Sequence, residues 1–448
     1  MTGRPPINNG VASANVAVAL DDDGSPSPVV EPSKPRLLDV LGPGLITGAS
    51  DDDPSGIATY SQAGAQFGFG LCWTMVVSYP LMTAVQIVSA QMGRTTGRGI
   101  AGIFRQHAPT WLLSSIVTLL IVANAINIGA DLGAMADTTG LVLGGPHLLY
   151  VILYGTICIV LQMFLQYTRY VSVLKWLTLS LFSYVATLFM VKVDWAAAIR
   201  GIVAPDIQWN RDYLASIVAV FGTTISPYLF FWQASQEAED TRTRPKRQIL
   251  KRAPEQGERA MSRIRLDTLV GMAISNLIAL AIMLTTAATL HANNITNIET
   301  SAQAAEALRP FAGRYAEIIF ALGIIGTGLL SVPVLAGSAA YAVGEARKWP
   351  TGLSRQPMEA RAFYAVILVA TLVGMVMNFT PLDPIKALYW SAVINGIVAV
   401  PVMAAMMWLS GSAKVMGTFA VTGPARLLGW LATAVMASAV VAMVITSF

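Results

Sequence analysis

The stretch GASDDDPSGIATY, residues 48–60, decides how the rest of the chain is read. Asp51, Asp52 and Asp53 stand in the middle of the first long apolar segment, and Pro54, Ser55 and Gly56 follow at once. Inside a bilayer every backbone N–H and C=O must be satisfied within the protein, and a mid-span proline removes one donor and clashes with the preceding turn. A buried carboxylate is costly unless a cation or hydrogen-bond donors meet it. Acids placed beside a break therefore mark an interrupted helix that faces a cavity or a ligand, where a packing kink alone would have no use for three charges.

The composition agrees with a membrane setting. The chain has 448 residues, is 54% hydrophobic and 12% charged, and has a mean hydropathy of +0.59. Soluble domains carry about 25% charged residues. The net charge of +4 gives no basic stripe interleaved with aromatics, so nucleic acid is not expected as a partner; the lipid bilayer is. Cys72 and Cys158 lie in separate apolar segments with no C-x-x-C spacing and read as small core residues. Residues 1–36, rich in Pro, Ser and Asp, read as a disordered cytoplasmic tail.

Segments of about 20 mostly apolar residues, the length that spans a bilayer, fall near 40–66, 71–93, 111–136, 147–166, 171–192, 213–238, 266–290, 315–343, 361–378, 384–409 and 425–447. This predicts an all-α polytopic membrane protein with eleven transmembrane helices. With the N-terminus in the cytoplasm, 23 of the 29 Lys and Arg residues fall on the cytoplasmic side. The positive-inside rule then sets the C-terminus outside, in a bacterial-type cytoplasmic (inner) membrane. The basic segment 242–265 reads first as the topology anchor between two halves, although such segments also meet anionic lipid.

Span 6 holds the second strong interruption, FGTTISPYLFFWQ at 221–233, with Gly222, Thr223, Thr224, Ser226 and Pro227 together. One break opens spans 1–5 and the other opens spans 6–10. Five is odd, so the two halves run with opposite orientation. Interrupted helices at matching positions of inverted halves point to a transport site at the membrane midplane. The division is a first repeat over 37–192, a second over 213–409 and an extra helix at 425–447, all within a transporter domain 37–448.

Carboxylates, hydroxyls and freed carbonyls are hard oxygen ligands, and no Met, Cys or His lies within either break. Such a set suits magnesium, calcium or manganese, with magnesium keeping part of its water. Successive helical residues point about 100° apart, so the three aspartates do not share a face. Asp53 sits at the break itself. Asp51 and Asp52 are expected to face an aqueous vestibule or neighbouring helices, accepting from metal-bound water. Asp53 or Asp52 is also placed to cap the half-helix that begins at Pro54.

These motifs, from LGPGLITGASDDDPSGIATYSQAGAQFG (41–68) through all eleven spans, resemble the NRAMP (natural resistance-associated macrophage protein) divalent-metal transporter superfamily. The resemblance implies a LeuT-like 5+5 inverted repeat with helices 1 and 6 broken. The family's Asp-Pro-Gly-Asn becomes Asp53-Pro54-Ser55-Gly56 here, and its Met-Pro-His becomes Ser226-Pro227-Tyr228. Its carbonyl ligand falls at Thr223. Its Asp-Leu-Ala-Glu motif, linked to proton movement, keeps Asp131 and Leu132 but has Ala134 at the glutamate. Loss of the thioether, histidine and glutamate resembles the magnesium-transporting branch, said to carry hydrated magnesium and manganese without evident proton symport. The resemblance thus implies a transport site of Asp53, Ser55, Gly56, Thr223, Ser226 and Tyr228, with no cofactor beyond the transported magnesium or manganese.

Asn124, Asn127 and Asp131 form one polar stripe in span 3, lining a path or bonding between helices. Asn395 is placed to reach the site from span 10, whereas Gln86, Gln162 and Asn276 read as structural. Gln233, Gln236, Glu237 and Glu239 follow the second break and read as an acidic exit or, more simply, as solvated helix-end charges. His107, His147 and His291 fall at segment ends and are given no metal role. The leading function is a secondary-active or facilitative divalent-cation transporter working by alternating access. The rivals are a proton-coupled manganese/iron importer and a sodium-coupled amino-acid transporter on the same fold. With no soluble catalytic domain or nucleophile–base pair, an enzyme is not expected.

Overall fold

Two prolines, each at the first position of a new helix, organise the architecture. In the computed structural model, which describes residues 47–48, 50–164, 179–244, 246–380 and 383–447, Thr47, Gly48, Ser50 and Asp51 are helical and Asp52 bends away. Asp53 is extended (φ −69°, ψ 170°), and α1, Pro54–Phe67, starts afresh behind it. The second break repeats the device. α6 (Arg211–Thr224) ends at Ile225, Ser226 is extended (φ −77°, ψ 131°), and α7 (Pro227–Thr243) begins. Proline fits there because its missing N–H falls among the first-turn donors that have no intrahelical partner.

Between these lie α2 (Trp73–Thr96), α3 (Ile100–His107), α4 (Thr110–Leu143) and α5 (His147–Phe164). After them come α8 (Gly257–Thr289), α9 (Ala316–Arg347), α10 (Arg361–Met377), α11 (Pro384–Ser410) and α12 (Gly423–Ile445). No strand occurs among the described residues. Eight helical stretches there are long and apolar enough to cross a bilayer, with α6 and α7 taken as one. The other three expected spans miss that measure for visible reasons. The first is divided at Asp52–Asp53, α10 has only 17 residues, and 171–178 of the fifth lie outside the described residues. The tail 1–36 lies outside them too. α8 starts at Gly257, nine residues before the apolar pattern of span 7, because the charged turns GERAMSRIR continue the same helix and hydropathy alone does not register them.

Exposed Leu277, Val369, Val376, Val441 and Ile445 give the lipid-facing surface. Inside, α1 packs on α8, α7 on α2, α9 and α11 on α4, and α6 on α11. Small residues let backbones touch, as membrane helix pairs require. A Cβ on Gly48 would lie 2.4 Å from the Gly271 carbonyl oxygen of α8. One on Gly93 of α2 would lie 2.1 Å from the Ala234 carbonyl of α7. The α6–α11 crossing at Gly222 and Gly396 is equally close.

Candidate metal site at the two helix breaks

Asp53 lies at the centre and is 1% exposed. Its Oδ1 accepts from the Ser55 hydroxyl at 2.7 Å and the Gly56 N–H at 2.7 Å, so this oxygen caps α1. Its Oδ2 accepts from Asn127 Nδ2 of α4 at 3.0 Å and the Tyr228 hydroxyl of α7 at 3.2 Å. Asn127 is oriented in turn by Ser391 of α11, whose hydroxyl donates to Asn127 Oδ1 at 2.7 Å. The carboxylate therefore has two faces. Oδ1 holds the broken helix together, while Oδ2 looks toward the second break. Hydrogen bonds to a charged group are worth about 1.5–3 kcal/mol each, and these four oppose the cost of burying the Asp53 carboxylate.

The breaks face each other directly. A Cβ on Gly56 would lie 3.1 Å from Thr223 Oγ1, 3.3 Å from the Asp51 carbonyl oxygen and 3.3 Å from the Tyr60 ring. Thr223 Oγ1 is buried without a hydrogen-bond partner. The Ser226 hydroxyl donates back to the Gly222 and Thr223 carbonyls, both at 2.7 Å, closing the end of α6 and leaving its lone pairs uncommitted. The Tyr228 hydroxyl also reaches the Ser50 carbonyl at 3.1 Å, tying α7 to the half-helix before the first break.

The other acids stand apart. Ser275 of α8 bonds Asp51 Oδ2 at 2.7 Å and Asp52 Oδ1 at 3.1 Å, so these two turn toward a neighbouring helix. Asp131 Oδ2 accepts from Ser331 of α9 at 2.7 Å, while its Oδ1, like Asp51 Oδ1, is buried and unpartnered. No Lys or Arg pairs with any of these four carboxylates among the described residues. Among those residues, too, no three His, Cys, Asp or Glu side chains converge as a ready-made metal cage.

The polar stripe of α4 divides. Asn127 touches Asp53, whereas Asn124 Nδ2 bonds the Leu335 carbonyl and Ser338 of α9, both at 2.8 Å, and is a helix–helix contact. Asn395 is buried on α11 beside Gly396, with neither end of its amide partnered. Asn276 bonds Ser78, and Gln162 bonds its own helix. Cys72 and Cys158 are free and buried, and the His291 ring meets the Ala65 carbonyl. Beyond the site along α1, Ala58, Ser61, Thr138 and Ser301 line a cavity of only about 10 Å³.

Glu237 and Glu239 correct the reading of solvated helix-end charges. Glu237 is 1% exposed and held by Arg263; Glu239 is 9% exposed and bonded by Tyr341 and by the backbone N–H groups of Leu353 and Ser354. The basic segment is more than a charge anchor. Leu250 N bonds the Arg94 carbonyl and Lys251 N bonds that of Thr95, so it docks on the end of α2. Sequence reasoning missed Ser275, Ser331 and Ser391, because a serine in an apolar helix carries no local sign of what it faces. It missed Met135 too, whose thioether packs on Gly328 near the Pro54 ring.

The family model for natural resistance-associated macrophage protein-like chains, Nramp, matches residues 44–446. The chain belongs to the Nramp family. Curated relatives include the divalent metal cation transporter MntH of Klebsiella pneumoniae strain 342, 27% identical over 412 residues, covering 90% of this chain and 92% of the relative. The MntH of Yersinia enterocolitica is 28% identical over 408 residues, covering 88% and 91%. Among solved structures, the Eremococcus coleocola manganese transporter superposes with a TM-score of 0.70 at 16% identity, covering 93% of this chain and 88% of that one. MhsT in complex with L-phenylalanine gives 0.59 at 13% identity, covering 90% and 98%. At such identities the structures show the fold: this Nramp chain has the LeuT-like architecture, and it is an integral membrane transporter, not an enzyme.

Proposed function

We propose that this Nramp protein carries a hard divalent cation, magnesium or manganese, across the inner membrane by alternating access around the two breaks. The observation that carries the reading is the Asp53 carboxylate, set between two broken helices with oxygen donors around it. The ion takes Asp53 Oδ2 as its anionic ligand, with the Thr223 carbonyl, the Ser226 hydroxyl and the Tyr228 phenol from the second break. Ser55 and Gly56 act through the cap on Oδ1, and Pro54 and Pro227 hold the breaks open. For Tyr228 to offer a lone pair its hydroxyl rotates away from Oδ2. Asn127 presents its nitrogen to Asp53 and its oxygen to Ser391, so it positions the carboxylate. Asp51, Asp52, Asp131 and Asn395 supply acceptors for water that the ion retains, as magnesium tends to retain it.

The transport frame is two repeats, 37–192 and 213–409, with helix 425–447 appended. The end of the bundle that gathers Arg94, Arg242, Arg244, Arg247 and Arg263 is the cytoplasmic one by the positive-inside rule, which puts the N-terminus inside and the C-terminus outside. A second reading, proton-coupled import of manganese or iron, draws support from the names of the relatives and from the unpartnered oxygen of Asp131.

Metal uptake into proteoliposomes separates the two. Magnesium and manganese should enter without co-moving protons, Asp53→Ala should abolish entry, and Ser226→Met should shift preference toward cadmium and iron. Strong iron or cadmium transport with co-moving protons in the wild type sinks the magnesium reading. Unchanged uptake in Asp53→Ala removes the site itself.

A further inference from the structure

The half of α7 beyond the second break ends among charges that the metal site does not use. Glu237 accepts from Arg263 Nη2 of α8 with both oxygens, at 2.7 and 2.5 Å. Across the same space stands Arg94, in the last turn of α2 and 3% exposed. Its Nη2 donates to Gln256 at 3.0 Å, while Nε and Nη1 are buried with no hydrogen-bond partner. Arg263 Nη1 is likewise unpartnered. Buried polar groups in native proteins are almost always paired, and a buried unpaired guanidinium donor calls for an explanation.

The helix crossing supplies one. α2 and α7 touch backbone to backbone where Gly93 meets Ala234. Arg94 follows Gly93 directly and Glu237 lies three residues past Ala234, one turn along α7. Glu237 is the foremost of the carboxylates whose field reaches Arg94. Asp240, the next acid on that face, is already engaged by Arg244 and Arg247. Two arginines on two different helices thus flank one carboxylate, and only one of them is paired.

We propose that Glu237 is the moving half of an inner gate with two alternative partners, Arg263 on α8 in the closed arrangement seen here and Arg94 on α2 when α7 pivots to release the ion. The inference rests on the transport reading above for the need to open, but on this geometry for the residues. α7 runs unbroken from Ser226–Pro227 to Glu237, so a pivot at the break swings Glu237 between the two guanidinium groups. A carboxylate that exchanges one arginine for another stays paired in both end states, which keeps either state from trapping the cycle. Arg94 and Arg263 are positioning residues; neither touches the ion.

The test reads gate position apart from metal chemistry. Cys72 and Cys158 are replaced by serine, and Thr268→Cys, at a buried position behind the pair that bonds Gln233, serves as reporter. Labelling by a membrane-impermeant maleimide is timed from the cytoplasmic face of inside-out vesicles. Arg263→Gln should raise the labelling rate at least tenfold, because the closed partner is lost. Arg94→Gln should lower it below the parent by a similar factor, because the open partner is lost. Arg263→Lys, which keeps the charge, should fall between Arg263→Gln and the parent and guards against a folding defect. Rates that shift in the same direction in both glutamine variants, or that do not shift, overturn the proposal. Opposite shifts in a protein that moves neither magnesium nor manganese leave the gate standing and remove only the metal reading.

Discussion

A single methyl group at Gly222 should separate the two half-sites. A Cβ there would lie 2.1 Å from the Ala392 carbonyl oxygen, 2.6 Å from Gly396 N and 2.8 Å from Gly396 Cα. All three are backbone atoms of α11, so no side chain can rotate aside. Restoring ordinary contact, which begins near 3.4 Å, moves α6 from α11 by roughly 1 Å. Overpacking of this kind costs about 1–3 kcal/mol. Thr223 is the next residue and travels with α6, so the displacement falls on the second break itself. That cost falls on the folded protein, and because the Thr223 and Ser226 ligands move with α6, Gly222→Ala should also cut uptake at sub-saturating metal several-fold. The melting temperature of the detergent-solubilised protein should fall with it. Gly140→Ala is the control: it also lies in a helix, but nothing stands within 4 Å of its Cβ position, and it should be neutral or slightly stabilising. Uptake and melting equal to wild type in Gly222→Ala would refute the claim that this crossing sets the distance between the breaks.

Ser391→Ala leaves Asn127 Oδ1 without its donor and frees the amide to turn away from Asp53; the half-saturating metal concentration should rise several-fold in uptake assays while the melting temperature moves little. Asn124→Ala, three residues away on α4, should do the reverse: it removes a helix–helix contact worth about 1–2 kcal/mol, lowering the melting temperature without changing the order of metal preference. Magnesium or manganese at 100 times its dissociation constant should stabilise the wild type by about 2.7 kcal/mol, read as a rise in melting temperature, and should give Asp53→Ala no such rise.

The contrast between Asn124 and Asn127 shows where sequence reasoning stops. Both are amides one turn apart in an apolar helix, and helical periodicity puts them on one stripe. Which of them meets Asp53 depends on the rotation and height of α4 against α1 and α9, set by packing over the length of three helices. The same holds for Asp51 and Asp52, whose direction was open until α8 supplied Ser275. It holds for Glu237 too, a helix-end acid by sequence, which is buried and held by Arg263 of α8.

The sequence by itself determined the membrane class, the all-helical fold and the location of both breaks. Hydropathy and proline chemistry act within a few residues, and a bilayer permits few other structures. It also singled out Asp53, because a carboxylate directly before a proline is both a cap and an anion in hydrocarbon wherever the helix lies. The tertiary structure alone decided which oxygen of Asp53 faces the second break, which serines orient its neighbours, and which arginine Glu237 holds. Those are relations between helices far apart in the chain, fixed by close glycine crossings such as Gly222 with Gly396 and Gly93 with Ala234, and no local pattern encodes them.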